Sequence, residues 1–280
     1  MTIQPDLGHL SSPQTDSEER SAVFARVLIE AWKEEALSRG TLEHSVPGTT
    51  MRHSMSGKCA RQIHYYLTGA EMTNLFDLPA FWSTGLGTMI HQLWQEALAK
   101  KFSDVEVEKV VHIPEADSSG HVDAWIPEGK ASVEVKTING YGFKKIAETD
   151  EGPRYSDFVQ CCVNAYALGA DKAILIYLSL EAISKPRANK LNIDEIGRIA
   201  KEFHYTPEIF NEVAEKEIQR WAVIRERGAD TPRAIPDPEF TKGARVVDPT
   251  NGKMEKDGKP AGYAWMCGYC SYQDLCASEC

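Results

Sequence analysis

No stretch of this chain approaches the ~18 consecutive apolar residues that a membrane-spanning helix requires, so an integral helical membrane protein is excluded. The opening segment, MTIQPDLGHLSSPQTDSEER, has neither the basic start nor the apolar core of a secretory signal. A cytoplasmic protein is the expectation. Positive charge is scarce: Lys and Arg number 31 against 41 Asp and Glu, a formal net charge of −10. The surface as a whole therefore does not attract nucleic acid. That balance leaves room for a local basic track, and an acidic site for divalent cations would contribute to it. A disulfide framework is also missing. Seven cysteines in a reducing compartment point to metal ligation or buried thiols, not to bridges.

What is present suits one large globular domain, or one domain with elaborations: 280 residues, 42% hydrophobic and 26% charged. The most informative stretch is GHVDAWIPEGKASVEVKT, residues 120–137. It is predicted as two strands joined by a turn over residues 127–130. Side chains alternate faces along a strand, so Val122, Ala124 and Ile126 share one face of the first strand and Val133 and Val135 one face of the second. The opposite faces carry Asp123, Glu134 and Lys136. Pairing the apolar faces on the core brings two carboxylates and an ammonium together on one wet surface. Hard divalent cations take such oxygen ligands, and the lysine can stabilise charge on a water or a phosphate. An ordinary solvated hairpin shows the same alternation, so the pattern needs support from elsewhere.

Four segments are expected along the chain. Residues 1–16, rich in Ser, Pro, Gln and Asp, read as a flexible arm. Residues 17–103 form a helical region: a helix to about Arg39, a polar loop and helix carrying Cys59 and Arg61, and a helix to about Phe102 entered at Gly85 and Gly87. His91 borders the apolar stripe of this last helix, where it is either a hydrogen-bonded boundary residue or a metal ligand. Residues 104–205 form a mixed α/β core. Its strands are 105–113, the two central strands, 172–180 and 198–205, and a helix over 155–169 carries Gln160, Cys161, Cys162, Asn164 and Tyr166. Residues 206–280 open with a helix capped at Thr206-Pro207, continue as an irregular Pro- and Gly-rich arm over 229–262, and end in a cysteine cluster.

C-x2-C-x5-C at Cys267, Cys270 and Cys276 places thiolates close enough to wrap one soft centre. Zinc would take Cys280 as a fourth local ligand. An iron–sulfur cluster could instead take the remote Cys59. The adjacent Cys161 and Cys162 read as small buried side chains on a helix.

Six features follow in order: C-x-R at Cys59 and Arg61, G-x-G-T-x-x-H at Gly85 to His91, G-x-x-D at Gly120 to Asp123, E-x-K at Glu134 to Lys136, a helix bearing Gln160, and C-x2-C-x5-C. From residue 51 onward the chain resembles the RecB-like branch of the PD-(D/E)XK nuclease superfamily. Within it, the chain is most similar to the iron–sulfur exonucleases of CRISPR adaptation systems and phages. The resemblance implies a restriction-endonuclease-like fold, α/β with a mixed sheet flanked by helices. It implies that His91, Asp123, Glu134 and the Val135 carbonyl bind Mn²⁺ or Mg²⁺, that Lys136 is catalytic, and that Gln160 positions the site or the DNA. It further implies that Cys59, Cys267, Cys270 and Cys276 hold a four-iron, four-sulfur cluster, leaving Cys280 spare. One departure stands out. The family's helix reads Q-x-x-x-Y, whereas here Asn164 follows Gln160 by four and the tyrosine is Tyr166, so either Asn164 replaces the aromatic or the register differs and Cys162 occupies the glutamine position.

The expected function is metal-dependent hydrolysis of DNA at single-stranded ends, in recombination, repair or CRISPR adaptation, with recombination or adaptation proteins as partners and room for an oligomer. Arg61, Tyr65, Lys144, Lys145, Arg154 and Tyr166 are the candidate DNA contacts. The rivals are a non-catalytic nucleic-acid-binding module of the same fold and a zinc-stapled scaffold.

Overall fold

The computed structural model describes residues 26, 27, 30, 31, 34, 50–74, 78–148, 152–181, 196–232, 234–235, 245–248, 253–256, 259–263, 267 and 270–279. The chain forms two compact units, Met1–His44 and Ser45–Cys280. In the first, the described residues are helical and exposed. The expected arm over 1–16 and most of the helix predicted from 17 to 39 lie outside the described residues.

The second unit is built on a six-stranded mixed sheet in the order β1-β3-β4-β5-β6, with β2 also paired to β3. The strands are β1 Met51–Arg52, β2 Glu106–Ile113, β3 Ser118–Ile126, β4 Ala131–Ile138, β5 Lys172–Ser179 and β6 Ala200–Tyr205. β4 and β5 run parallel over their whole length, while β2 and β4 are antiparallel to β3 and β6 to β5. Helices cover both faces: α1 Ala60–Leu67, α2 Leu78–Lys101, α3 Gly140–Glu148, α4 Tyr155–Leu168 and α5 Pro207–Arg227, with a short α6 Gln273–Ser278 near the C-terminus. No described helix is long and apolar enough to cross a membrane.

The period-2 pattern of the central strands decides which helix covers which face. Ala124, Val133 and Val135 pack with Ile174, Ile176 and with Trp94 and Leu98 of α2. Ala173, Leu175 and Tyr177 pack with Cys161, Cys162 and Ala165 of α4. Both thiols are fully buried, as their placement on a helix suggested. Because β5 is apolar on both faces it sits centrally, as a doubly covered strand must. α4 ends at Gly169, whose φ of +60° supplies the left-handed C-terminal turn.

Three expectations change. Gly85 and Gly87 lie inside α2, which begins at Leu78. Glycine weakens a helix by only about 1 kcal/mol, and tertiary packing overrides that here. At Gly87 an added Cβ would stand 3.0 Å from Thr137 Oγ1, so the residue allows close approach of helix to sheet. The arm over 229–262, read as irregular, contains β7 Ala234–Ile235, β8 Arg245–Asp248, β9 Lys253–Lys256 and β10 Lys259–Tyr263. These pair as an antiparallel sheet in the order β10-β9-β8-β7, with Pro260 and Gly262 inside β10 at the edge of the sheet, where proline is tolerated. A third change concerns the surface carrying the acids, which is not wet. Asp123 is 8% and Glu134 2% exposed, because α4 lies across that face.

Candidate metal and catalytic site

The site lies where the ladder of β3 is interrupted. On one edge β3 pairs with β2. On the other, Ser118 and Ser119 pair with β1 and Ala124 to Ile126 pair with β4. Residues 120–123, the G-x-x-D motif, face the gap between β1 and β4. Across the other edge, Glu108 takes a left-handed φ of +49° and drops out of register with Asp123 while its neighbours stay paired. Such a backbone costs a non-glycine residue roughly 1–2 kcal/mol. Buried amides and carbonyls released by a broken ladder need other partners, and side chains of the site supply them. Val135 N–H donates to Asp123 Oδ2 at 2.6 Å. Asn164 Nδ2 donates to the His121 carbonyl at 3.1 Å.

Around this opening the structure brings together His91 from α2, Asp123 from β3, Glu134, Val135 and Lys136 from β4, and Gln160 from α4. His91 Nδ1 stands 3.6 Å from Asp123 Oδ1. Lys136 Nζ donates to Glu134 Oε1 at 2.7 Å and to Gln160 Oε1 at 3.0 Å. Asn164 Nδ2 donates to Glu134 Oε2 at 2.9 Å. Gln160 and Asn164 thus both turn toward β4, as residues four apart on one helix do. The departure from Q-x-x-x-Y resolves accordingly: Asn164 occupies the position facing Glu134. Tyr166, half-buried on α4, packs against the core residues.

The electrostatics are those of crowded, partly desolvated charge. Burial pushes the Glu134 carboxyl up to about 7, aided by Asp123 and opposed by Lys136. Burial also works against the Lys136 ammonium, but Glu134, Asp157 and Asp123 outweigh it and hold the group above its usual range. The neighbouring Asp123 carboxylate raises His91. Lys58, a residue without a strand or helix pattern to mark it in the sequence, feels the charge of this site. Its amine is lowered by burial and by Lys136.

Two carboxylates, an imidazole and the following backbone carbonyl form the mixed oxygen–nitrogen donor set that Mg²⁺ or Mn²⁺ accepts. Two close buried carboxylates with one pushed toward neutrality are what a cation would relieve, so the residues fit such an ion. Among the described residues, no three His, Cys, Asp or Glu side chains already stand as a ready-made metal site. In the arrangement observed, Glu134 is engaged by Lys136 and Asn164.

The cysteines form a second set of candidate ligands. Cys59 precedes α1, while Cys267, Cys270 and Cys276 belong to the C-terminal segment. None of the four is in a disulfide. Burial raises the thiols of Cys59, Cys267 and Cys270, the latter two to about 11 and about 12, and neighbouring thiols of the group add to each shift. In donor type and number the four thiols suit a soft metal centre, although among the described residues they do not stand as a ready-made metal site. Cys280 lies outside the described residues.

The candidate DNA contacts scatter. Tyr65 is buried, donates to Glu279 Oε2 at 2.5 Å and packs on Tyr272, so its ring is not offered to a base. Arg61 pairs with Glu279 at 3.4 Å. Lys145 lies over the Tyr141 ring, and Lys144 is its neighbour on α3. Arg154 is exposed at the start of α4. The buried position of Tyr65 and the half-buried position of Tyr166 follow from the apolar bulk of their rings, which sequence alone does not assign to a face.

No protein-family model matches the chain, and no curated protein does. Among solved structures the chain is similar to the protein SSO0001, with 17% identity over 92% of this chain and 98% of that one and a TM-score of 0.47. It is similar to a phage-related exonuclease from Haemophilus somnus 129PT, with 8% identity over 65% and 95% and a TM-score of 0.45. It is also similar to the alkaline exonuclease LHK-Exo from Laribacter hongkongensis, with 11% identity over 65% and 91% and a TM-score of 0.43.

Proposed function

We propose that the protein is a metal-dependent deoxyribonuclease of the PD-(D/E)XK type, acting exonucleolytically on single-stranded DNA ends. The observation that carries this reading is the junction of His91, Asp123, Glu134, Lys136 and Gln160 at one interruption in the sheet. His91, Asp123, Glu134 and the Val135 carbonyl would hold Mn²⁺ or Mg²⁺. A bound ion of this kind polarises a scissile phosphate and lowers the pKa of water. Lys136 presents an ammonium held in its charged form by buried carboxylates, placed to stabilise negative charge developing on phosphoryl oxygens or on the attacking water. Gln160 fixes that ammonium from α4.

Cys59, Cys267, Cys270 and Cys276 would hold a four-iron, four-sulfur cluster that ties the C-terminal segment to α1. Hydrolysis moves no electrons, so the role assigned to the cluster is structural. Recombination, repair and CRISPR adaptation are the settings that such an activity serves.

The test is degradation of 5′- and 3′-labelled single strands with Mn²⁺. The expected result is stepwise shortening from an end by the native protein and none by Glu134→Ala. Intact strands with folded, Mn²⁺-supplied native protein would overturn the reading.

A further inference from the structure

We propose that His53 and Asn164 are positioning residues which hold the Glu134 carboxylate in the orientation a divalent cation needs; the proposal rests on the metal-dependent reading above. His53 follows β1 and is fully buried, with its ring stacked on Trp221 at a centroid distance of 6.1 Å. Its Nδ1 lies 2.8 Å from Asn164 Oδ1 and its Nε2 3.2 Å from Ser118 Oγ. Asn164 Nδ2 reaches both Glu134 Oε2 and the His121 carbonyl.

These contacts admit one assignment of hydrogens. Glu134 as a carboxylate and the His121 carbonyl can only accept, so the Asn164 group facing them is its NH₂, which has two hydrogens to give. The other amide atom is then the oxygen, and His53 must donate to it through a protonated Nδ1. His53 Nε2 is left as an acceptor for the Ser118 hydroxyl. The result is a directed chain from Ser118 O–H through His53 Nδ1–H and Asn164 Nδ2–H to Glu134 Oε2. A reversed amide would set oxygen against carboxylate and carbonyl, with no proton between them. Burial holds His53 down at about 4, so the neutral ring this wiring requires is the form present near neutral pH.

The backbone is shaped around this ring. A Cβ on Gly120 would fall 2.4 Å from His53 Nδ1 and 2.6 Å from its Cγ. The glycine of G-x-x-D therefore makes room for the imidazole, three residues before the aspartate. On Glu134, Lys136 takes a lone pair of Oε1 and Asn164 one of Oε2. An ionised carboxylate has about four such sites, so two stay available in a fixed plane. The histidine is thus tied to the candidate metal site by hydrogen bonds from strand, loop and helix, beyond what filling the interior requires.

The experiment is calorimetric titration of the full-length protein with Mn²⁺, comparing native, Glu134→Ala, His53→Leu and His53→Asn. Glu134→Ala is expected to abolish binding. His53→Leu should weaken it ~10–100-fold, the usual cost of losing a group that orients a ligand. His53→Asn, whose amide N–H can stand where Nδ1–H stood, should restore most of the loss. A folded His53→Leu protein with native Mn²⁺ affinity, beside a Glu134→Ala protein that has lost it, would overturn the positioning role and leave the metal site standing. Native protein that binds no Mn²⁺ would remove the metal-dependent reading and this proposal with it. Nitrogen-15 shifts of the His53 ring in the native protein supply a measurement free of any variant's folding. The Nδ1–H tautomer is expected, and the Nε2–H tautomer would overturn the wiring.

Discussion

Glu134 receives Lys136 on one oxygen and Asn164 on the other, and its burial makes every lost donor costly. On the proposed reading, the Lys136 ammonium, paired with Glu134 at rest, stabilises charge that develops during reaction, so its loss falls on the chemical step. Lys136→Ala is expected to lower kcat by ~10²–10³ with KM little changed, read from single-strand degradation at saturating Mn²⁺. Gly120 yields a prediction of another kind. Gly120→Ala drives a methyl into the His53 ring, and such overpacking should cost ~1–3 kcal/mol, visible as a lower denaturant midpoint without change in slope. Asp123, Glu134 and Lys136 were legible from strand alternation, because that alternation is local. His53 was not, since it meets Asn164 across 111 positions and lies in a polar loop with no periodicity to mark it.

At the scale of elements, β4 divides its side chains between two helices: Val133 and Val135 pack with α2, while Glu134 and Lys136 meet α4. The site forms because β4 separates from β3 where both acids stand, leaving Val135 N–H and the His121 carbonyl for side chains to satisfy. His53 packs into the same junction and makes it pH-sensitive. Its folded pKa, about 4 because of burial, lies below the unfolded value near 6.5. The unfolded chain therefore binds more protons between these limits. This stabilising contribution is complete above pH ~6.5 and is lost as pH falls toward ~4, a change of up to about 3 kcal/mol. Glu134, raised by burial, contributes the opposite slope. The readout is consequently the difference between native and His53→Asn stability across this range, and a constant difference would contradict it. Strand positions and the capped helix after Thr206 were readable from pattern. The glycines of α2 misled because helix packing outweighs a propensity term of about 1 kcal/mol.

Across the whole second unit, the C-terminal segment is joined to α1 and the residues that follow it. Asp274 N–H and Leu275 N–H bond to Asn74 Oδ1 and Thr73 Oγ1, and Tyr65 reaches Glu279 over 214 positions. The cluster proposed on Cys59, Cys267, Cys270 and Cys276 would close the same long loop by metal–thiolate bonds and so restrict the unfolded chain. Protein purified without oxygen should be brown and contain iron and sulfide. Cys267→Ala should be colourless and melt at least ~5 °C lower, and a colourless native protein carrying zinc would exclude the iron–sulfur reading. Glu279→Gln, by contrast, removes a partly exposed pair with Arg61 and should change stability by no more than ~1 kcal/mol. By itself the sequence determined which residue types stand two, three or four apart, and hence the acid-bearing face of β4, the facing pair on α4 and the thiol spacing near the C-terminus. These are properties of neighbours along the chain. Only the tertiary structure decided that the acids are buried, that β3 is open at G-x-x-D, and that a histidine from another segment fills the space above Gly120. Those outcomes depend on where strands part and which orphaned backbone groups a distant side chain can reach, which no local pattern encodes.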